Sequence, residues 1–212
     1  MVLDIYAQTW EQEEAAAKEK EPDLEAWQKS GVKKTEKDLQ DRFIRGRDQI
    51  AAYMENTRKE RLRPWTLPDG RVASEVEFEE SFGDVIVRGS VDLILEDPDT
   101  GALLIRDIKT GSKKPVGHMQ LAVYRHAIRK KYGVDPLWGD YWMCKDGGPT
   151  PAAPLWPYSE QLITAQFEAL DQAVRDELYL ANIGDHCTRC GVAAHCPFVG
   201  GQPPEGIALL GT

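Results

Sequence analysis

Gly89-Ser90-Val91-Asp92-Leu93-Ile94-Leu95-Glu96-Asp97-Pro98-Asp99-Thr100-Gly101-Ala102-Leu103-Leu104-Ile105-Arg106-Asp107-Ile108-Lys109 reads as two strands joined by a tight turn. Pro98 sets φ for the first central turn position and Gly101 accepts the left-handed conformation at its end. The flanks, residues 85–95 and 102–109, are apolar and β-branched enough to be strands. If Asp97 pairs with Ala102 across the four-residue loop, Asp92 falls directly opposite Asp107. Opposed side chains share a face and lie roughly 4.5–5.5 Å apart at Cβ. Two carboxylates that close repel each other unless one is protonated or a cation sits between them. Lys109, two residues on, points to the same face. The bland alternative is a pair of surface carboxylates at strand ends, matched with Arg88, Arg106 or Lys109. The sharper one is a divalent-metal phosphodiesterase site. Mg²⁺ or Mn²⁺ takes carboxylate oxygens and activates water, while Lys109 orients that water or stabilises charge on the phosphate oxygens.

A helical stretch over residues 118–132 follows, and Gln120 and Tyr124 share one of its faces. At i and i+4 they present an amide and a phenol side by side toward the strand that carries Lys109. Taken alone this would be an ordinary amphipathic helix with a tyrosine in its core face.

The series Gly89-x-x-Asp92, Asp107-x-Lys109-Thr110-Gly111 and Gln120-x-x-x-Tyr124 resembles the PD-(D/E)XK nuclease superfamily. It is most similar to the RecB-type branch, which includes the nuclease domains of RecB and AddB, the CRISPR-adaptation exonucleases and their phage relatives. The resemblance covers residues 75–197. It implies an α/β fold of the restriction-endonuclease kind, a mixed central β-sheet flanked by helices, and DNA hydrolysis with one or two metal ions. Carried over residue by residue, Asp92, Asp107 and Lys109 are catalytic. Asp92, Asp107 and Ile108 are metal positions, and Gln120 and Tyr124 contact DNA. Glu77, in the strand-like run 72–80, is an auxiliary carboxylate candidate, or else a solvated strand residue among Glu75, Glu79 and Glu80. The activity implied is that of a metal-dependent DNA exonuclease acting on single strands or DNA ends in repair, recombination or phage DNA metabolism. The rival from another class is a catalytically inactive DNA-binding or assembly module on the same fold.

Cysteine spacing is a separate signal. Of four cysteines, three form Cys187-x2-Cys190-x5-Cys196-Pro197. With no signal peptide or long apolar span recognised, the chain is expected in a reducing cytoplasm, where such spacing reads as a metal site. Cys187, Cys190 and Cys196 with His186 or His195 suit zinc, although adjacent His195 and Cys196 would be awkward ligands on one ion. By composition zinc and iron–sulfur are even. The resemblance implies a [4Fe–4S] cluster, because the RecB-type branch often carries this triplet together with a fourth, earlier cysteine. Cys144, in the strand-like run 137–145, reads as a buried, inert thiol. His118 and His126 read as helix residues. Relatives of this type usually begin with that early cysteine and a Gly-x-x-x-His helix whose His is a further ligand. Neither is found here, so the expectation is a start downstream of that segment, with an incomplete cluster and a metal site short of one imidazole.

The 212 residues fit one nuclease-like domain, residues 1–199. It reads as a helical part over 1–65, a nuclease core over 70–182, a cysteine metal segment over 183–199 and a tail over 200–212. Residues 2–29 read as two solvated helices broken at Pro22-Asp23, residues 33–63 as a longer helix rich in arginine, 147–157 as a Pro/Gly loop region and 159–181 as a final amphipathic helix. A net charge of −9 argues against broad electrostatic attraction to DNA as the source of affinity. Lys113, Lys114, Arg125, Arg129, Lys130 and Lys131 nonetheless cluster near the motifs. A helicase or recombination partner, or a single strand stacked on aromatics such as Tyr124, would compensate. No membrane association is expected.

Overall fold

The Asp97-to-Gly101 turn closes as its residues dictate. In the computed structural model, which describes residues 1–27, 34–178 and 181–199, the Asp97 N–H donates to Ala102 O at 2.9 Å and Gly101 adopts φ +68°. In chain order the elements are α1 (Val2–Lys20), α2 (Thr35–Lys59), β1 (Arg63–Pro64), β2 (Ser74–Phe82), β3 (Val85–Glu96), β4 (Leu103–Lys109), α3 (Met119–Tyr132), β5 (Trp138–Met143), β6 (Gly148–Pro149), β7 (Ala153–Pro154) and α4 (Glu160–Arg175). The sheet runs β1-β3-β4-β5-β6, with β2 also paired to β3 and β7 to β5. It is mixed. β3 and β4 are antiparallel, whereas β4 and β5 are parallel and are joined through α3, the crossover that parallel neighbours require.

Register follows from the turns. The β3–β4 ladder runs from Glu96↔Leu103 to Leu93↔Arg106, the register that places Asp92 at the level of Asp107. Gly83, at φ +61°, makes the tight turn between β2 and β3 and sets Phe82 opposite Val85. α3 lies against β2, β4 and β5, and buries Leu121, Ala122, Val123, Ala127 and Ile128. Gly133, at φ +72°, ends it with an N–H bond to Arg129 O. Gly139 on β5 leaves room for this helix, since a Cβ there would lie 3.0 Å from Leu121 and 3.1 Å from Leu155.

The opposite side of β4 is locked by charge. Buried Arg106 donates to both oxygens of Asp140 on β5 (2.8 and 2.7 Å) and to both oxygens of Glu60, just past α2 (2.7 Å each). Burial alone would lower the guanidinium pKa, but these two carboxylates raise it, so Arg106 stays charged. Tyr53 of α2 packs edge-on against Trp142 of the same side, with ring centroids 4.9 Å apart.

Several boundaries differ from the sequence reading. The arginine-rich helix stops at Lys59 rather than Arg63, because Glu60 is drawn to Arg106 and Arg63 is held extended by the following proline. After α1, residues Leu24–Ala26 form a single 3₁₀ turn capped by Asp23, where a second helix was expected. α1 packs instead on α2, through Tyr6 and Trp10 around Phe43. The final helix ends at Arg175, and Glu177 takes φ +55°. The chain divides into two compact units, Met1–Ala165 and one beginning at Gln166. The tail expected over 200–212 lies outside the described residues. Among the described residues no helix is long and apolar enough to cross a membrane.

Candidate active site

Beyond Leu93↔Arg106 the regular ladder gives way, and a side chain takes over the pairing. Asp92 Oδ2 accepts the Ile108 N–H at 2.6 Å, so the carboxylate pins the interior of β3 to the C-terminal end of β4. Asp107 is 2 % exposed on the α3 side of β4. Its Oδ1 accepts from Gln120 Nε2 at 2.9 Å. Its Oδ2 lies 2.6 Å from Lys109 Nζ, and among the described residues this ammonium is the group that answers the buried oxygen. Lys109 Nζ donates to Gln120 Oε1 at 2.9 Å, and Gln120 Nε2 also donates to the Tyr124 hydroxyl at 2.8 Å. The Gln120 amide is fully committed, which fixes its orientation between strand and helix.

Burial pushes the Asp107 carboxyl above its ordinary range. Lys109 opposes that shift and Asp92 adds to it. Burial likewise raises the Tyr124 phenol, with the Gln120 amide opposing and Asp107, Asp92 and Glu75 reinforcing. Tyr141, whose ring lies 5.7 Å beneath the Lys109 ammonium, is pushed up to about 12 by burial and by Asp107.

The structure therefore brings Asp92, Asp107, Lys109, Gln120 and Tyr124 to one end of the sheet. Glu77 pairs with Ser90, two positions along β3 from Asp92, and its carbonyl accepts from Lys131. The residue at the level of Asp92 is Glu75, flanked by Ser74↔Leu93 and Val76↔Val91, with φ +51° and its carboxylate 3.3 Å from the Ser90 hydroxyl. Phe78 was likewise not singled out by sequence. It lies opposite Gly89, where a Cβ would sit 2.7 Å from its ring, and meets the Tyr124 ring edge-on with centroids 5.9 Å apart. The glycine of Gly89-x-x-Asp92 thus makes room for the ring that backs the tyrosine.

Other expected residues have plain roles. Arg125 is buried, holding Asp135 through both carboxylate oxygens and bonding Leu155 O, so it does not face DNA. Lys130 and Lys131 tie α3 to the β2 carbonyls of Ser81 and Glu77. His126 is a core residue whose Nε2 contacts Tyr158 O at 2.8 Å, and His118 stands at the start of α3. Cys144 is half-buried, with its thiol pKa raised chiefly by burial. Cys187 lies within the 3₁₀ turn Asp185–Arg189, Cys190 follows it, and Cys196 follows the next, Ala193–His195. Among the described residues, no three His, Cys, Asp or Glu side chains are gathered into a ready-made metal cage.

A divalent cation fits at Asp92 and Asp107 by the chemistry of the donor set. The negative charge of Asp107 is disfavoured by burial, Lys109 offsets that only in part, and a second carboxylate stands at the same level. The family comparison agrees with that chemistry, because the model of the PD-(D/E)XK nuclease superfamily matches residues 2–197. The chain belongs to the PD-(D/E)XK nuclease superfamily. It is 30% identical over 200 residues to the Gene 69 protein of Mycobacterium phage D29, covering 92% of this chain and 73% of that protein. It is 26% identical over 219 residues to the Gene 69 protein of Mycobacterium phage L5, covering 92% and 74%. Mg²⁺ or Mn²⁺ is the usual cofactor of such nucleases.

Proposed function

We propose that this protein is a Mg²⁺- or Mn²⁺-dependent DNA exonuclease of the RecB type, acting on single strands or DNA ends. The observation that carries the reading is the buried Asp107 carboxylate, which stands at the level of Asp92 with the Lys109 ammonium 2.6 Å from its Oδ2. Asp92 and Asp107 would hold the cation, which supplies charge neutralisation at the phosphodiester and acidifies water. Ile108 Nα–H holds Asp92 in place. Lys109 keeps one N–H after its contacts with Asp107 and Gln120, and that donor is directed at a phosphate oxygen or the attacking water. Tyr124 accepts from Gln120, so its own hydroxyl proton is free to donate to the strand. Gln120 acts by holding Asp107, Lys109 and Tyr124 in one plane of bonds. The net charge of −9 favours a substrate delivered as a strand or an end over a duplex embraced along its length, and a helicase or recombination partner would deliver it. Cys187, Cys190 and Cys196 are proposed as thiolates of a [4Fe–4S] cluster, with zinc as the competing occupant.

Linear and circular single-stranded DNA of one sequence, each incubated with the protein and Mn²⁺, test this directly. Loss of the linear strand with survival of the circle is expected. Nicking of the circle at a comparable rate would convert the assignment to an endonuclease, and survival of both would leave the inactive DNA-binding module as the better reading.

A further inference from the structure

We propose that the ends of β4 and β5 carry a phosphate-binding lip that holds the DNA strand next to the reactive site, and that Asp146 is its built-in competitor. This rests on the nuclease reading and adds the surface that engages substrate. β4 and β5 are parallel, with Lys109 paired to Met143, and Cys144 N–H donates to Lys109 O at 2.9 Å. Two segments therefore leave the sheet side by side, immediately beyond the catalytic lysine. Ligands of parallel sheets gather outside such carboxyl ends.

One segment is the loop from Thr110 to Gly117. It carries exposed Lys113 and Lys114, and Val116 has a relative exposure of 106%. A Cβ added at Gly111 or Gly117 would meet nothing within 4 Å, so neither end of the loop is packed. Its return is fixed beside the site, because Tyr141, lying under Lys109, donates its hydroxyl to Gly117 O at 2.8 Å. The other segment is the turn from Cys144 to Gly147, closed by Asp146 and Gly147 N–H bonds to Met143 O. It bears Lys145 and, together with Asp41, Arg45 and Asp48 of α2, lines an open groove of about 780 Å³.

Three lysines thus stand at the strand ends where Lys109 emerges. Among the described residues, Lys113 and Lys145 have no ion-pair partner, while Lys114 lies 3.2 Å from Asp146, with both side chains more than half exposed. An exposed pair of that kind is worth about 0.2–1 kcal/mol, so a phosphate oxygen readily replaces the carboxylate. The contact is with the backbone, so it carries no base preference. In a chain of net charge −9, a local set of three lysines decides which face a strand approaches.

Binding of a fluorescein-labelled 20-nucleotide single strand, read by anisotropy in Ca²⁺ across a salt series, tests the lip without turnover. Lys113→Ala, Lys114→Ala and Lys145→Ala combined should flatten the slope of log affinity against log salt by roughly 2, at about 0.7 per lost phosphate contact. Asp146→Asn should tighten binding by roughly 1.4- to 5-fold, the range set by the strength of the pair it removes. That gain cannot arise from misfolding. An unchanged slope in the triple variant, or unchanged or weaker binding in Asp146→Asn, overturns the lip even if the wild type cleaves DNA. Lip-dependent binding by a wild type that never cleaves in Mn²⁺ would overturn the nuclease reading instead and leave the lip standing.

Discussion

Replacing Asp107 with asparagine separates the two roles of this residue, because the metal-free fold is held against its charge. Asn keeps the oxygen that accepts from Gln120 and removes a negative charge from a residue that is 2 % exposed. Removing a buried charge whose burial is only partly compensated is worth roughly 1–3 kcal/mol. Against that stands the lost ion pair with Lys109, which is 28% exposed and offsets part of the gain. Burial outweighs Lys109 in setting the direction of the Asp107 shift, so the balance is a gain of roughly 0–2 kcal/mol, or up to about 8 °C in Tm at 2–4 °C per kcal/mol. The pH dependence follows from the same shift. The folded carboxyl titrates above its ordinary value near 3.8 and binds its proton more tightly than the unfolded one. Wild-type stability without metal therefore falls as pH rises through that window. The advantage of Asp107→Asn should be present at pH 7.5, shrink as pH falls through the folded pKa and vanish below about 3.8. Saturating Mn²⁺ should reverse the order, since a ligand at about 100 times its Kd adds about 2.7 kcal/mol to the wild type alone. Scanning calorimetry in EDTA and in Mn²⁺ reads both effects. A variant less stable than wild type in EDTA at pH 7.5, or equal stabilisation of both proteins by Mn²⁺, would refute the reasoning.

Gly89→Ala places a methyl 2.7 Å from the Phe78 ring and should cost about 1–3 kcal/mol while lowering activity through Tyr124; adding Phe78→Leu should restore much of both in denaturation and cleavage assays. Arg106→Met leaves Asp140 and Glu60 facing each other without a cation and should lower stability by about 3–5 kcal/mol in urea unfolding, with Glu60→Gln much milder because Glu60 is 17% exposed. Protein prepared anaerobically should contain iron and acid-labile sulfide that Cys187→Ser loses; stoichiometric zinc would make the site a zinc site, and absence of both would remove it.

The β3–β4 hairpin was legible because a turn with fixed chemistry sets register, and register alone puts Asp92 at the level of Asp107. The same logic was available one hairpin earlier. Gly83-Asp84 makes a two-residue turn, and counting back from Phe82↔Val85 brings Glu75 to Asp92 and Phe78 to Gly89. The alternating Glu75, Glu77 and Glu79 drew attention to composition instead of to that turn. Gln120 and Tyr124 were readable from helical spacing, but their joint bond through one amide was not, because it depends on how α3 sits over β4. Arg125 shows the opposite failure. A basic residue near a motif looks like a DNA contact until packing reveals that Asp135 and Leu155 hold it in the interior. The early stop of α2 was hidden for a similar reason, since Glu60 leaves the helix for Arg106, 46 residues away.

The measurement that bears most directly on the central claim is hydrolysis of end-labelled single-stranded DNA with Mn²⁺, compared among wild type, Asp107→Asn and Lys109→Ala. The arrangement of Asp92, Asp107 and Lys109 predicts cleavage by the wild type that EDTA abolishes, and loss of at least roughly a hundredfold in each variant with the fold retained, because these groups act as one unit. Cleavage that persists in Asp107→Asn, or that proceeds in EDTA, would contradict it.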